Sequence, residues 1–260
     1  MGSSDIRIVL VTPSHPGNIG AAARALKNMG LTELVLVAPK QFPHPEATAR
    51  ASGADDVLGA ARIVGSLGEG LAGCGFVAAT TARPRDQYFR VLDVRAAAAR
   101  IVAEARRAPA AVIFGPERTG LTNEALEMAH ALVRIPASDS YPSLNLAMAV
   151  QLTAYEIFRA LNAAGEAHGT PTVRAEPAAV DDARSPTAPL AGVQEMQRLY
   201  AHVAEVLDEL DFRDRTQSGT HLMSRIRRFL QRAELDENEV HILRGILTAV
   251  QGRRRHAGER

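Results

Sequence analysis

Three short stretches of this 260-residue sequence carry polar side chains at spacings that could do chemistry. In PGNIGAAARALKNMG, residues 16–30, Asn18 and Arg24 open a helical pattern, and a helix N-terminus attracts phosphate. A guanidinium is effectively always protonated, so Arg24 suits holding a phosphate or stabilising a developing negative charge better than removing a proton. In IFGPERTGLTNEAL, residues 113–126, Gly115 and Gly120 flank Glu117, and glycine lets a ligand pack against the main chain. In IPASDSYPSLNLAMAVQ, residues 135–151, Asn145 is an amide among apolar neighbours. A buried amide costs free energy unless it is paired, so Asn145 should hold a backbone turn or a ligand. Ser143 either orients a hydroxyl or caps the helix that follows. Taken singly, each stretch also fits a plain strand–loop–helix turn or a surface arginine in a salt bridge. GNIG, residues 17–20, lacks the full dinucleotide fingerprint and has no acidic residue at the expected distance, which rejects that chemistry. His15 reads as a loop histidine without a mechanistic duty. Cys74 stands alone and no Cys/His cluster has ligand spacing, so no metal is expected.

These residues need a scaffold. Ile6–Val11 is a near-continuous β-branched run, read as a buried parallel strand. The loop TPSHPGNIG leads to a helix that stops at Gly30, and LVLVA, residues 34–38, is the next strand. Strand, loop, helix and strand make a βαβ unit, hence a right-handed crossover and a parallel sheet. A helix near Ala47–Ala51, a strand Phe76–Thr80 and a basic loop with Arg83, Arg85 and Arg90 follow. An Ala-rich helix over Asp93–Arg107 precedes a strand over 110–115, and a last short strand holds Val133 and Ile135. Thr122 is placed to cap a helix over 123–131. Leu144, Leu146, Met148, Val150 and Leu152, with little charge between them, predict a helix buried on most sides. The reading is an α/β fold of five or six parallel strands covered on both faces, spanning residues 1–162.

Residues 163–190 are rich in Ala, Pro, Gly and Asp without apolar period, the composition of an extended linker. Residues 191–260 read as a small all-helical extension. Its first helix points Val193, Met196, Leu199, Tyr200, Val203, Val206, Leu207 and Leu210 inward. The second points Leu222, Met223, Ile226, Phe229 and Leu230 inward and leaves Arg225, Arg227, Arg228 and Arg232 for a basic stripe. Asp236 and Glu239 have capping-box spacing ahead of the third.

Composition narrows the partners. The formal net charge is +1, so nucleic-acid binding has to come from local patches. Aromatic residues make up 4% and Trp is absent, which argues against a stacking platform for single strands. No apolar run approaches the roughly 18 residues of a membrane span, no secretory pattern is visible, and a single cysteine suits a reducing cytoplasm.

In their order and wording the three stretches together resemble the signature motifs of the SPOUT superfamily of S-adenosylmethionine-dependent RNA methyltransferases, on its SpoU ribose-2′-O side. With IRIVLVTPSHPGNIG, the TTARPR turn and the helical extension, the chain looks most similar to the TrmJ type, which methylates a tRNA anticodon-loop ribose. The resemblance implies S-adenosylmethionine held by Thr80, Thr81, Ala82, Gly115, Glu117, Gly120, Ile135 and the segment Tyr141, Pro142, Ser143, Leu144 and Asn145. It implies that Asn18, Arg24 and Ser143 act at the ribose, and Arg83, Arg85, Arg225 and Arg228 are candidate RNA contacts. A C-terminal trefoil knot within the α/β domain, a homodimer and no metal are implied as well. The function it points to is 2′-O-methylation of the pyrimidine at nucleotide 32 of tRNA. The alternatives are another tRNA site or rRNA, or a non-catalytic RNA-binding protein on the same fold.

Overall fold

Strands that are apolar on both faces can only lie inside a sheet covered by helices twice over, and the computed structural model has that form. It describes residues 5–82, 90–164, 189–212 and 222–258. Strands β1 (Ile6–Val11), β2 (Glu33–Val37), β3 (Arg62–Val64), β4 (Phe76–Thr80), β5 (Val91–Asp93), β6 (Ala110–Phe114) and β7 (Ala131–Arg134) form one sheet in the order β3-β2-β1-β6-β4-β7-β5. Every pairing is parallel. The described helices are α1 (Pro16–Asn28), α2 (Pro45–Ala51), α3 (Asp55–Gly59), α4 (Leu67–Gly70), α5 (Val94–Ala105), α6 (Asn123–Leu126), α7 (Leu146–Ala163), α8 (Val193–Glu209), α9 (Leu222–Ala233) and α10 (Glu237–Gly258).

The sheet has seven strands where the sequence suggests five or six. The additional ones, β3 and β5, are three-residue edge strands, too short to carry a readable period, and Ile63 and Val91 are exposed there. Alternation along β1 builds two cores. Ile6, Ile8 and Leu10 pack with Ile19, Leu26, Ile101, Val150 and Ile157, which come from α1, α5 and α7. Val9, with Val77 and Ile113, faces Leu71, Leu126 and Val193 on the other side. Cys74 is buried in this second layer as a core residue, and burial pushes its thiol pKa up.

Several local expectations change. The GNIG segment is the first turn of α1, not a loop, because Pro16 takes the first helical position and its missing N–H costs nothing there. A Cβ on Gly20 would lie 1.9 Å from the Ala47 carbonyl oxygen, so glycine at that position lets α2 cross against α1. The helix expected over 123–131 is only the four-residue α6, capped by Thr122 Oγ1, which accepts from Ala125 N. Nor is α7 buried on most sides: Met148, Leu152 and Tyr155, one stripe at helical spacing, are exposed. Its N-cap is Asn145, whose Oδ1 accepts from Ala147 N and Met148 N, and not Ser143.

The segment read as a linker falls almost wholly in 165–188, outside the described residues. Past it, Ala191, Met196, Leu199, Tyr200, Leu230 and Val240 form a third core among α8, α9 and α10. Leu210 and Phe229, expected inside, are exposed. The capping box is formed: Asp236 N donates to Glu239 Oε2 and Glu239 N to Asp236 Oδ1. No described helix is long and apolar enough to cross a membrane.

Candidate active site

In an open parallel sheet, ligands collect beyond the carboxyl ends of the strands where the strand order reverses. Here the segments that follow β1, β6, β4 and β7, four adjacent strands, are the ones that carry the polar motifs. A cleft at that edge is lined by Thr80, Thr81 and Ala82 after β4, by Gly115, Glu117 and Gly120 after β6, and by Ile135, Pro142, Ser143 and Leu144 after β7. Apolar walls come from Phe114, Leu121, Leu126 and Val133. Thr80 Oγ1 donates to the Ile113 carbonyl at 3.1 Å and Thr81 N to the Val133 carbonyl at 3.0 Å, which tie the β4 end to both neighbouring strands.

The three motifs meet in one hydrogen-bonded chain. Glu117 Oε2 accepts from Ser14 Oγ at 2.7 Å and Ser14 N at 3.1 Å. Its Oε1 accepts from Asn18 Nδ2 at 2.9 Å and His15 N at 3.3 Å. Asn18 Oδ1 in turn accepts from Asn145 Nδ2 at 3.0 Å. The orientation of the Asn18 amide is therefore dictated from both sides, by a carboxylate on one and a helix-capping amide on the other. Burial pushes the Glu117 pKa up, but the bonds from Asn18 and Ser14 outweigh it and bring the pKa down to about 2. A carboxylate with a depressed folded pKa stabilises the fold above its unfolded value and loses that contribution as pH falls through the folded one. Acid unfolding is therefore expected to steepen between pH 4.5 and about 2. Followed by circular dichroism, Glu117→Gln should be less stable at neutral pH and flatter in that window; an unchanged acid limb would strip Glu117 of this role.

A second groove of about 600 Å³ continues from the cleft, with Leu144 lining both. Gly17, Asn18 and Ala21 of α1, Glu46 and Arg50 of α2, and Met148 and Leu152 of α7 form its sides. Arg24 lies one turn beyond Ala21 on the Gly17–Ala21 face of α1 and is exposed. His15 sits 3.8 Å from Glu46 Oε1, and a Cβ on Gly17 would come within 2.7 Å of that oxygen.

Of the predicted residues, the cleft gathers all the proposed cofactor contacts except Tyr141, which is exposed, and Asn145, which faces the groove. Arg83 and Arg85 lie outside the described residues. On α9, Arg225 is exposed and Arg228 is partly buried, with its Nε donating to the Ser224 carbonyl. Arg227, grouped with them in the basic stripe, instead pairs with Glu127 at 2.6 Å. Nothing local singles out Ser14 or Glu127 in the sequence, since their partners lie about a hundred residues away. Among the described residues no group of His, Cys, Asp or Glu could hold a metal ion.

The arrangement suits a nucleoside-bearing cofactor. Apolar side chains flank a loop whose Gly115 backs directly onto backbone, where a Cβ would meet Leu121 N at 2.4 Å. Comparison with known proteins identifies the family. The model of the SpoU rRNA methylase family matches residues 5–155, and that of the tRNA methyltransferase TrmJ C-terminal domain matches residues 194–260. The tRNA (cytidine/uridine/adenosine-2′-O-)-methyltransferase TrmJ of Pseudomonas aeruginosa is 44% identical over 95% of this chain and 93% of its own length. The tRNA (cytidine/uridine-2′-O-)-methyltransferase TrmJ of Yersinia enterocolitica is 44% identical over 95% and 91%. Among solved structures, TrmJ from Z. mobilis superposes with a TM-score of 0.76 at 31% identity, covering 94% of this chain and 98% of that one. A family model over more than half of the chain and relatives this similar along nearly all of it leave one conclusion: the chain belongs to the SpoU methylase family, and within it to the TrmJ type.

Proposed function

We propose that the chain transfers a methyl group from S-adenosylmethionine to a ribose 2′-hydroxyl of tRNA, at the pyrimidine of nucleotide 32 in the anticodon loop. The observation that carries this reading is the Glu117–Asn18–Asn145 chain, which joins the cofactor cleft to the groove beside it. The cofactor, when bound, supplies an activated methyl group. Thr80, Thr81, Ala82, Gly115, Gly120, Ile135, Pro142, Ser143 and Leu144 would hold it through backbone groups and apolar contact. Asn18 and Ser143 then orient the ribose, and Arg24 binds the adjacent phosphate and stabilises the alkoxide as the hydroxyl proton leaves to a neighbouring group or to water. Alignment of hydroxyl and methyl is the main protein contribution to such a displacement.

The relatives' names support tRNA as substrate, and the inclusion of adenosine in one of them supports tolerance at the base. The exposed Met148–Leu152–Tyr155 stripe on α7 supports a homodimer with this face as its seam, where Arg24 of one protomer can serve the site of the other. Residues 1–162 form the catalytic domain with its trefoil knot, 163–190 the linker, and 191–260 the helical domain. Arg83, Arg85, Arg225 and Arg228 contact RNA in the cytoplasm. The test is radiolabelled methyl transfer into unmodified tRNA followed by nucleoside mapping. Label in 2′-O-methylcytidine or 2′-O-methyluridine of the anticodon loop is expected. Label at another ribose replaces the target, and no label with any RNA ends the enzymatic reading.

A further inference from the structure

A four-residue helix cannot hold itself, because nucleation fixes more dihedrals than it gains hydrogen bonds. Yet α6 and the turn before it carry Leu121 and Leu126, two walls of the cofactor cleft. Thr122 caps its start, and its end is gripped from α9. Glu127, the C-cap residue, accepts on its carboxylate from Arg227 Nη1 at 2.6 Å and from Ser224 Oγ at 3.4 Å. The Glu127 carbonyl accepts from Gln231 Nε2. Arg227 lies over the Tyr200 ring at 5.5 Å, and Tyr200 and Gln231 are both buried, so the grip is anchored in the helical core and not free to drift.

The same helix also reaches the β5 edge of the sheet. Glu234, just past α9, holds Arg90 Nη1 at 2.8 Å through one oxygen and Arg100 Nη2 at 2.8 Å through the other. Arg90 stands at the entry to β5, and its carbonyl accepts from Leu132 N, the neighbour of Val133 in the cleft wall. Within about ten residues, then, α9 and the turn after it hold α6, which walls the cleft, and tie to Arg90 and Arg100 of the α/β part of the chain.

We infer that Glu127 is a positioning residue for cofactor binding, and that α9 completes the cofactor site through the Glu127–Arg227 pair. This rests on the cofactor reading above. RNA drawn to the exposed Arg225 face of α9 is thereby coupled to cofactor affinity, and by linkage each ligand shifts the other by the same factor.

Calorimetric titration of the full chain with S-adenosylmethionine tests it. Glu127→Gln and Arg227→Gln should each weaken cofactor binding about fivefold or more, the lower range of a coupling of this kind. The cofactor KM should rise by more than kcat falls. The reversed pair, Glu127→Arg with Arg227→Glu, should recover most of the loss, because it restores the pair with the opposite polarity. Arg227→Lys keeps the charge with a different reach, and should give an intermediate affinity should Glu127→Gln not fold. Unchanged affinity in the folded single variants overturns the inference even where melting temperature falls, and so does a loss that the reversed pair fails to recover. Wild-type protein that binds no cofactor would overturn the cofactor reading itself, an outcome distinct from the others.

Discussion

Arg24→Ala should lower kcat/KM for tRNA by about 10²–10³-fold, the scale on which removing one preorganised charge-stabilising donor acts, while leaving cofactor affinity and folding intact. The separation follows from where Arg24 sits. It is exposed on α1, makes no hydrogen bond or ion pair with the described residues, and does not line the cofactor cleft. Alanine is also the better helix former, so the helix loses nothing. What disappears is a fixed positive charge one turn along from the groove that holds Asn18. Arg24→Lys should recover part of the activity, because an ammonium restores the charge without the bidentate fork. Methyl transfer at saturating cofactor, beside a cofactor titration, separates the two. Full activity in Arg24→Ala would remove Arg24 from the reaction.

Gly115→Ala is expected to have the opposite signature, with loss beginning at the cofactor. The added Cβ would stand 2.4 Å from Leu121 N and 2.5 Å from the Gly120 carbonyl carbon, both backbone atoms that no rotamer change can move aside. Gly120 itself has φ +69, a left-handed conformation that lets the loop fold back on Gly115. Relief therefore needs the 115–121 turn to open, at about 1–3 kcal/mol of overpacking strain. The same opening displaces Leu121 and the Glu117 carboxylate, so cofactor affinity should fall about tenfold or more, since 1.4 kcal/mol is already a factor of ten. A variant with wild-type affinity and melting temperature would show that the loop yields more easily than its geometry requires. Gly120→Ala, strained by φ alone with open space around it, should cost less.

Much of this was legible in the sequence, because it is local. The alternation of Ile6, Ile8 and Leu10 against Val9 specifies a strand buried on both faces, and the observed two cores follow from it. Capping by Thr122 and by the Asp236–Glu239 box depends on residues three apart and forms as read. The ordered motifs after β1, β6 and β7 point to one site because a parallel sheet brings the carboxyl ends of its strands to one edge.

What the sequence could not say depends on pairs far apart in the chain. Asn145 reads as a buried amide in search of a partner; only the packed structure makes it an exposed cap of α7 that also turns Asn18 toward Glu117. Glu127 looks like a surface acid until Arg227 of α9 comes to lie beside it, and Glu234 until it meets Arg90 and Arg100. The apolar run after Asn145 promised a helix covered on most sides, yet Met148, Leu152 and Tyr155 face outward. Local periodicity decides which face of an element is apolar, whereas what that face or an isolated charge meets is decided by tertiary packing. The amino-acid sequence by itself thus determined the central strands of the sheet, its two cores and the strand ends where the motifs gather. The folded chain alone decided how carboxylate, amide and helix cap link across those ends, because hydrogen bonds between residues a hundred positions apart leave no mark on either residue's neighbours.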